Sequence, residues 1–168
     1  METRKKDSYQ KTIYEFVTND IFVECPNCEK KALIKADDFS FRQYSEESIK
    51  LVCTNCGHSK KLAERPSAIL SSTKNDFISG RQYIIGGGID PFFHLKLWLT
   101  KTCGENLFWA YNYQHLDFIY GHVGAKLRER NGQAIINKSI GSRLPKWMTS
   151  KKNRDQILKI IDELREKN

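Results

Sequence analysis

The sequence predicts an α+β fold, with a small antiparallel sheet followed by a β-hairpin and helices. Two observations indicate this. Short β-prone segments and turn-forming residues alternate over residues 20–63, and apolar residues at helical spacing recur after residue 112. The predicted organisation is therefore a sheet domain at 20–63, a linker at 64–88, and a basic domain with a hairpin and two helices at 89–168.

The length and composition are those of a water-soluble globular chain. The protein has 168 residues, of which 39% are hydrophobic and 29% are charged. Its apolar runs are too short to cross a bilayer, and no apolar segment of the secretory type follows Met1. The sequence therefore predicts a cytoplasmic protein without a membrane partner, in a compartment where thiols stay reduced.

Four of the five cysteines form two C-x-x-C motifs, Cys25–Cys28 and Cys53–Cys56. Two intervening residues let one tight turn direct both sulfurs at one tetrahedral metal ion, and two such turns supply a full ligand set. The sequence thus predicts one structural Zn²⁺ bound by Cys25, Cys28, Cys53 and Cys56. A rubredoxin-type iron centre would use the same ligands and stays open. A redox dithiol would need only one pair.

The segment between the motifs fits a ribbon of short strands. Strands are predicted at Lys31–Lys35, Phe39–Tyr44 and Ser48–Val52. The 24-residue insert is tolerated because the loop-closure cost rises only logarithmically with length. A sheet of this kind with a metal at one end is a zinc ribbon. His58 follows the second motif and is interpreted as a neighbour of the site rather than a ligand.

The flanking segments carry weaker patterns. Residues 8–18 fit a short helix. The predicted linker contains several residues that interrupt regular structure, namely Pro66, Gly80, Gly86, Gly87 and Gly88. The triple glycine is a bend rather than a phosphate loop, because no Gly-Lys-Ser/Thr follows it.

The C-terminal part shows both β and α periodicity. Alternating apolar residues on either side of 103–106 predict a hairpin, with Leu107, Trp109 and Tyr111 in its second strand. Asn112 suits an N-cap for a helix that ends near Asn131-Gly132. Its predicted apolar residues are Leu116, Ile119, Tyr120, Val123 and Leu127. A second helix starts within 150–153 and carries Ile157, Ile160, Ile161 and Leu164.

Positive charge is concentrated near the C-terminus. The net charge is +8, and from Lys126 onward twelve Lys and Arg residues stand against five Asp and Glu residues. Such a surface favours polyanions, above all nucleic acid, although a solvated face is the alternative interpretation. The predicted nucleic-acid contacts are Arg143, Lys146, Trp147, Lys151, Lys152 and Arg154, with Trp147 available for base stacking.

No catalytic motif is recognisable, and no catalytic residue is predicted. The remaining polar candidates are Asp90, His94, Cys103, His115, Asp117 and His122. His115 and His122 could share a helix face, but their spacing matches no known metalloenzyme motif. Ordinary structural roles are therefore the favoured interpretation, ahead of a second metal site.

The order of motifs supports one resemblance. After the paired cysteines come Asp90–Phe93, Trp109–Asn112, Arg128–Arg130, Arg143–Met148 and Lys152–Arg154. The chain resembles small bacterial proteins described as transcription-factor-IIB-type zinc-ribbon proteins, whose function is uncharacterised. The resemblance implies the ribbon and its zinc, and it implies little about activity.

Three functional hypotheses follow, in decreasing order of support. The first is a zinc-ribbon protein that binds DNA or RNA through its basic C-terminal surface. The second is an adaptor for protein–protein interaction in a bacterial complex, in which the ribbon is a rigid platform. The third is a metal-dependent enzyme that uses His94, His115 or His122.

Overall fold

The computed structural model describes residues 4–5, 9–36, 45–74, 76–125, 127–128 and 139–167. This part of the chain is α+β, with antiparallel sheets and five α-helices. The chain divides into two compact units, one at Thr18–Trp98 and one formed by Met1–Val17 with Leu99–Asn168. This division differs from the predicted boundaries, because residues 64–98 group with the cysteine-bearing sheet.

The elements are numbered in chain order. The strands are β1 Arg4–Lys5, β2 Ile21–Glu24, β3 Lys31–Lys35, β4 Lys50–Val52, β5 Ser59–Lys61, β6 Ala68–Ser72, β7 Phe77–Gly80, β8 Leu99–Cys103, β9 Asn106–Ala110 and β10 Leu127–Arg128. The α-helices are α1 Tyr14–Val17, α2 Tyr113–Gly124, α3 Ile140–Arg143, α4 Lys146–Thr149 and α5 Arg154–Arg165. Two 3-10 helices span Leu62–Glu64 and Lys151–Asn153.

A four-stranded antiparallel sheet in the order β2-β3-β4-β5 forms the centre of the first unit. Successive strand residues point to opposite faces, so alternating apolar residues bury one face. The side chains buried on this face are Ile21, Val23, Ala32, Ile34 and Leu51. Residues 96–98 continue along the free side of β2, where Trp98 N–H donates to the Phe22 carbonyl (2.8 Å).

The predicted strands agree only in part with the sheet. The strand at Lys31–Lys35 is present as predicted, whereas the predicted strand Ser48–Val52 begins at Lys50. The predicted strand Phe39–Tyr44 lies outside the described residues. Strands β2 and β5 were not predicted, and each runs directly into or out of a cysteine turn.

The predicted linker contains a β-hairpin. Strands β6 and β7 pair antiparallel within residues 64–88, with a register irregularity between Ile69 and Ser71. Gly80 ends β7 where a Leu70 methyl carbon lies 2.8 Å from the position that a Cβ would occupy. The glycine that suggested a break is therefore a site of close packing within a strand.

The second unit contains the predicted hairpin, β8 and β9, joined by Gly104-Glu105. Gly104 has a φ of 61°, which a two-residue hairpin turn requires. In β9 the buried side chains are Phe108 and Ala110, whereas Leu107 is 48% exposed. The burial alternation in this strand is thus offset by one residue from the predicted Leu107 and Trp109.

Helix α2 begins as predicted and ends earlier than predicted. The Asn112 side chain caps its N-terminus by accepting the His115 N–H (2.9 Å), and it also donates to the Phe16 carbonyl (2.9 Å). The helix ends at Gly124 rather than near Asn131-Gly132, because Ala125 is extended and Leu127 pairs with Arg4 in the β1–β10 ladder. A long-range strand pairing overrides the local helical pattern at that point.

The remaining helices pack through short apolar faces. In α5 the buried residues are Ile157, Ile160, Ile161 and Leu164, as predicted from their spacing. The predicted N-terminal helix at 8–18 is limited to α1, which buries Phe16 and Val17. Residues 142–148, which connect the two predicted helices, lie largely in α3 and α4.

Candidate metal centre

The two C-x-x-C turns share one backbone conformation. In the β2–β3 turn, Cys25 N–H donates to the Lys30 carbonyl (2.8 Å) and Glu29 N–H donates to the Cys25 carbonyl (2.9 Å). In the β4–β5 turn, Cys53 N–H donates to the His58 carbonyl (2.8 Å), and Gly57 N–H donates to the Cys53 carbonyl (3.0 Å). Two equivalent turns at the same end of one sheet therefore present their cysteines to each other.

The residue that follows the second cysteine of each motif has a left-handed backbone conformation. Gly57 has a φ of 74°, and Glu29 has a φ of 58° at the equivalent place. Glycine adopts this conformation without steric cost, whereas a residue with a Cβ does so less readily. The equivalence of Glu29 to Gly57 was not visible in the sequence, because only one of the two turns carries the glycine.

The four sulfur atoms form a compact cluster. Cys25 Sγ lies 3.7 Å from Cys56 Sγ, and Cys28 Sγ lies 3.6 Å from Cys53 Sγ. All four lie within 4.8 Å of one another. Sulfurs bonded at about 2.3 Å to one tetrahedral ion are separated by about 3.8 Å, so the cluster fits a single four-coordinate ion. The predicted ligands are thus brought together, and they could hold a metal ion.

Each turn also supplies a hydrogen-bond donor to the other turn. Asn55 Nδ2 donates to Cys28 Sγ (3.5 Å), and the Asn27 side chain donates to Cys56. Such donors orient thiolates and offset their negative charge. Sequence analysis assigned these asparagines no role. The available signal was that both motifs have asparagine at the same position, immediately before the second cysteine.

The thiols differ in their electrostatic environment. Burial raises the pKa of Cys25 to about 11, and this residue is only 1% exposed. Hydrogen bonds from the Asn27 side chain and the His58 backbone lower the pKa of Cys56 to about 6, and this residue is exposed. The cluster therefore has a buried side, at Cys25 and Cys53, and a solvent-facing side at Cys56.

The other polar candidates of the first unit organise a loop. Asp90 is fully buried, and its carboxylate accepts the backbone N–H groups of Phe92 (2.8 Å), Phe93 (2.7 Å) and Leu95 (2.6 Å). Burial raises its pKa, and these donors partly counteract the effect.

His94 lies in the same loop, 2.9 Å from Arg65 through Nδ1 and 3.0 Å from the Gln82 carbonyl through Nε2. These contacts hold the 90–95 turn together.

The polar candidates of the second unit lie in its packed interior or in surface ion pairs. His115 stacks on Phe16 with ring centroids 4.7 Å apart, and Phe118 stacks with His122 at 6.0 Å. Cys103 is buried at the end of β8, and Asp117 pairs with Arg165 (2.5 Å). Among the described residues, only the four-cysteine cluster groups three or more potential metal ligands closely.

The predicted nucleic-acid contacts lie in consecutive helical segments, from α3 to the first residue of α5. The cations Arg143, Lys146, Lys151 and Lys152 are exposed. Trp147 is half-buried, and its carbonyl accepts from Asn153 Nδ2 (2.9 Å). Arg154 is also half-buried and donates to the Ala125 carbonyl (3.4 Å), just beyond the end of α2. Four of the six residues therefore present their charge to solvent, while Arg154 also stabilises the fold.

Comparisons with protein-family models, with curated proteins and with solved structures found no significant match. Within the described ranges, no helix has the length and apolar character needed to cross a membrane. The fold and the site thus define an α+β protein with a four-cysteine cluster suited to a metal ion.

Proposed function

We propose that the cysteine cluster holds one structural Zn²⁺ and that the surrounding sheet is a zinc ribbon. The equivalent turns and the sulfur separations of 3.6 and 3.7 Å support this. Four cysteine ligands complete a tetrahedral shell and leave no position for a substrate, which is typical of structural rather than catalytic zinc. The ion would cross-link the β2–β3 and β4–β5 turns and so stabilise the sheet.

Metal analysis of the purified protein tests this proposal. We expect one zinc per chain, and we expect the Cys28→Ser and Cys53→Ser variants to lose it. Cys103→Ser is the matched control, because this fifth cysteine is buried in the other unit. Iron in place of zinc would support the four-cysteine metal site but contradict its assignment to zinc. A metal-free protein that is fully folded would contradict the proposal.

The second part of our proposal is that the protein binds nucleic acid through the exposed cations at 143–152. The observation that carries it is the exposure of Arg143, Lys146, Lys151 and Lys152 on consecutive short helices. Such side chains contact phosphates and release counterions, which gives affinity without base specificity. Trp147, within the same segment, is half-buried and is the candidate for base stacking. A cytoplasmic location belongs to the same proposal.

Binding of labelled DNA and RNA at several salt concentrations tests this second part. The variant Lys151→Gln/Lys152→Gln should bind more weakly, and the slope of log K against log salt should fall by about 1.4 to 1.8. Lys74→Gln is the control, because Lys74 is an exposed lysine of the other unit. Binding that is absent at low salt, or independent of salt, would exclude this function.

A second candidate function, the protein adaptor, has one observation in its favour. The β6–β7 hairpin exposes Ile69 (69%), Leu70 (52%) and Ile78 (61%). Exposed apolar side chains grouped on one hairpin are typical of interaction sites. A stable stoichiometric complex that survives nuclease treatment and is lost in Ile69→Ser/Ile78→Ser would favour the adaptor over the nucleic-acid-binding function.

A further inference from the structure

The outer face of the four-stranded sheet carries a row of lysines. Lys35 of β3 pairs in register with Lys50 of β4, which pairs with Lys61 of β5. Residues opposite one another in antiparallel strands project from the same face, and all three side chains are exposed. Because β3 runs away from the cysteine turn toward Lys35, this lysine row lies at the end of the sheet remote from the metal centre.

This arrangement has no evident structural purpose. Like charges directly opposite one another destabilise a sheet. Lysines protect exposed edge strands from aggregation, but β3 and β4 are interior strands, so edge protection applies only to Lys61. Lys61 is also partly offset by an ion pair with Glu47 (2.7 Å). Glu47 also interacts with Lys50, but among the described residues neither Lys35 nor Lys50 forms an ion pair, so their positions favour an external anion as their partner.

An apolar row runs beside the lysine row on the same face. Phe22, Leu33 and Val52 lie opposite one another on β2, β3 and β4, and all three are half-buried. Lys35 is two positions after Leu33 along β3, which places the two rows about 7 Å apart. The face thus presents an aromatic and aliphatic strip bordered on one side by positive charge.

On the side of the strip toward the cysteines, the positive charge is partly offset. Glu24 lies opposite Lys31 in the strand register, and Glu24 also pairs with Lys96 (2.9 Å). The Lys31 ammonium lies 5.7 Å from the centre of the Phe22 ring. Among the described residues of the outer face, Lys35 and Lys50 are therefore the lysines without an ion pair or a ring contact, which sets a direction for an anionic ligand.

We infer that the outer face binds single-stranded nucleic acid, with phosphates at Lys35 and Lys50 and bases against Phe22, Leu33 and Val52. Unpaired bases can lie flat on an aromatic and aliphatic strip, whereas bases in a duplex are already stacked. This inference rests on the proposed nucleic-acid-binding function, and it adds a surface and a preference for single strands.

The test compares a labelled oligothymidine with the corresponding duplex by fluorescence anisotropy, using the full-length, metal-loaded protein. For Lys35→Gln/Lys50→Gln we expect the single-strand salt slope to fall by about 1.4, because two phosphate contacts are removed. For Phe22→Leu, which keeps aliphatic packing but removes the ring, we expect single-strand affinity to fall at least about fivefold. Duplex affinity should change by less than twofold in both variants.

Lys60→Gln is the matched control, because Lys60 lies between Ser59 and Lys61 on the same strand but pairs with Leu51 on the opposite face. It should leave single-strand binding unchanged. Metal content and thermal unfolding establish that each variant is folded. If a variant is not folded, Lys50→Gln alone replaces it, since Lys50 is exposed and removal of a single charge should still lower the slope by about 0.7.

The outcomes separate this inference from the proposed function. Weaker binding in Lys151→Gln/Lys152→Gln, with no change in the sheet variants, would overturn the inference and leave the function standing. Unaltered binding in the C-terminal variant, with single-strand loss in the sheet variants, would place the site on the sheet instead. No nucleic-acid binding by the wild type would overturn both. The sheet variants could also weaken the binding of polyglutamate as much as they weaken the binding of oligothymidine. That result would indicate a general anion surface and would overturn the assignment to single-stranded nucleic acid.

Discussion

At the scale of single residues, the cysteine cluster depends on residues other than its cysteines. Asn27 and Asn55 each donate to a cysteine of the opposite turn, so each turn helps to position the sulfur atoms of the other. Gly57 and Glu29 provide the left-handed backbone that closes each turn. The geometry of the sulfur cluster therefore reflects four supporting residues as well as four cysteines.

Gly57→Ala should reduce the free energy of unfolding by about 1 kcal/mol. A Cβ at Gly57 would meet no atom within 4 Å, so the cost arises from the backbone conformation alone. Gly57→Asn should cost less, because asparagine tolerates positive φ. Chemical denaturation of the metal-loaded proteins measures both, and an equal loss for the two substitutions would contradict the assignment of the cost to φ.

His115 is a neutral residue within the aromatic core of the second unit. The Tyr111 N–H donates to its Nδ1 (3.3 Å), which requires an unprotonated nitrogen at that position. The ring also packs edge-on against Trp109, with centroids 5.6 Å apart. Burial lowers the pKa of His115 to about 3, far below the value of about 6.5 for an exposed histidine.

This depressed pKa predicts a pH dependence of stability. Below about pH 6.5 the unfolded chain binds a proton at residue 115 that the folded chain does not, so acid favours unfolding. The stability difference between wild type and His115→Gln should therefore shrink by up to about 1.4 kcal/mol per pH unit between pH 6.5 and 5. Taking the difference cancels contributions from other titrating groups. A pH-independent difference would show that folding does not lower the pKa of His115.

At the scale of elements, the ends of helices and strands depend on contacts distant in sequence. The Asn112 side chain caps α2 and also donates to the carbonyl of Phe16, near the other end of this unit's sequence. The C-terminal end of α2 is equally non-local, because Leu127 leaves the helical path to pair with Arg4. Helix α2 is therefore defined by interactions at both ends.

Asn112→Ala should reduce the free energy of unfolding by about 2 kcal/mol, because it removes both the cap and the bond to Phe16. Asn112→Ser should lose less, because serine retains a cap acceptor but lacks the amide donor. Thermal or chemical denaturation provides the comparison. Equal losses would show that the bond to Phe16, and not the cap, carries the effect.

At the scale of the whole molecule, the chain consists of two units with different sources of stability. The unit at Thr18–Trp98 has a sheet joined at one end by the cysteine cluster. The other unit has a core of aromatic and aliphatic side chains from α2, α5 and the β8–β9 hairpin. Metal removal should therefore act on one unit far more than on the other.

Hydrogen exchange before and after treatment with a strong chelator tests this expectation. The amides of β2 to β5 should lose protection when the metal is removed, because the two turns are no longer cross-linked. The amides of α2 and α5 should retain most of theirs, which makes them the internal control. Uniform loss of protection would show that the units unfold together, and no loss would show that the ion contributes nothing to stability.

The sequence by itself determined the features that depend on neighbouring residues. The two C-x-x-C turns, strand β3, the Asn112 cap and the buried face of α5 all follow from local spacing and residue type. These predictions succeeded because a C-x-x-C turn, an N-cap and an amphipathic helix each require only a few adjacent residues.

Only the tertiary structure decided the features that depend on register and on distant partners. The approach of Cys25 to Cys56, the row of Lys35, Lys50 and Lys61, and the hairpin within 64–88 each depend on which strands pair and in which alignment. A shift of one residue in register moves a side chain to the opposite face of a sheet, and local periodicity does not specify that alignment.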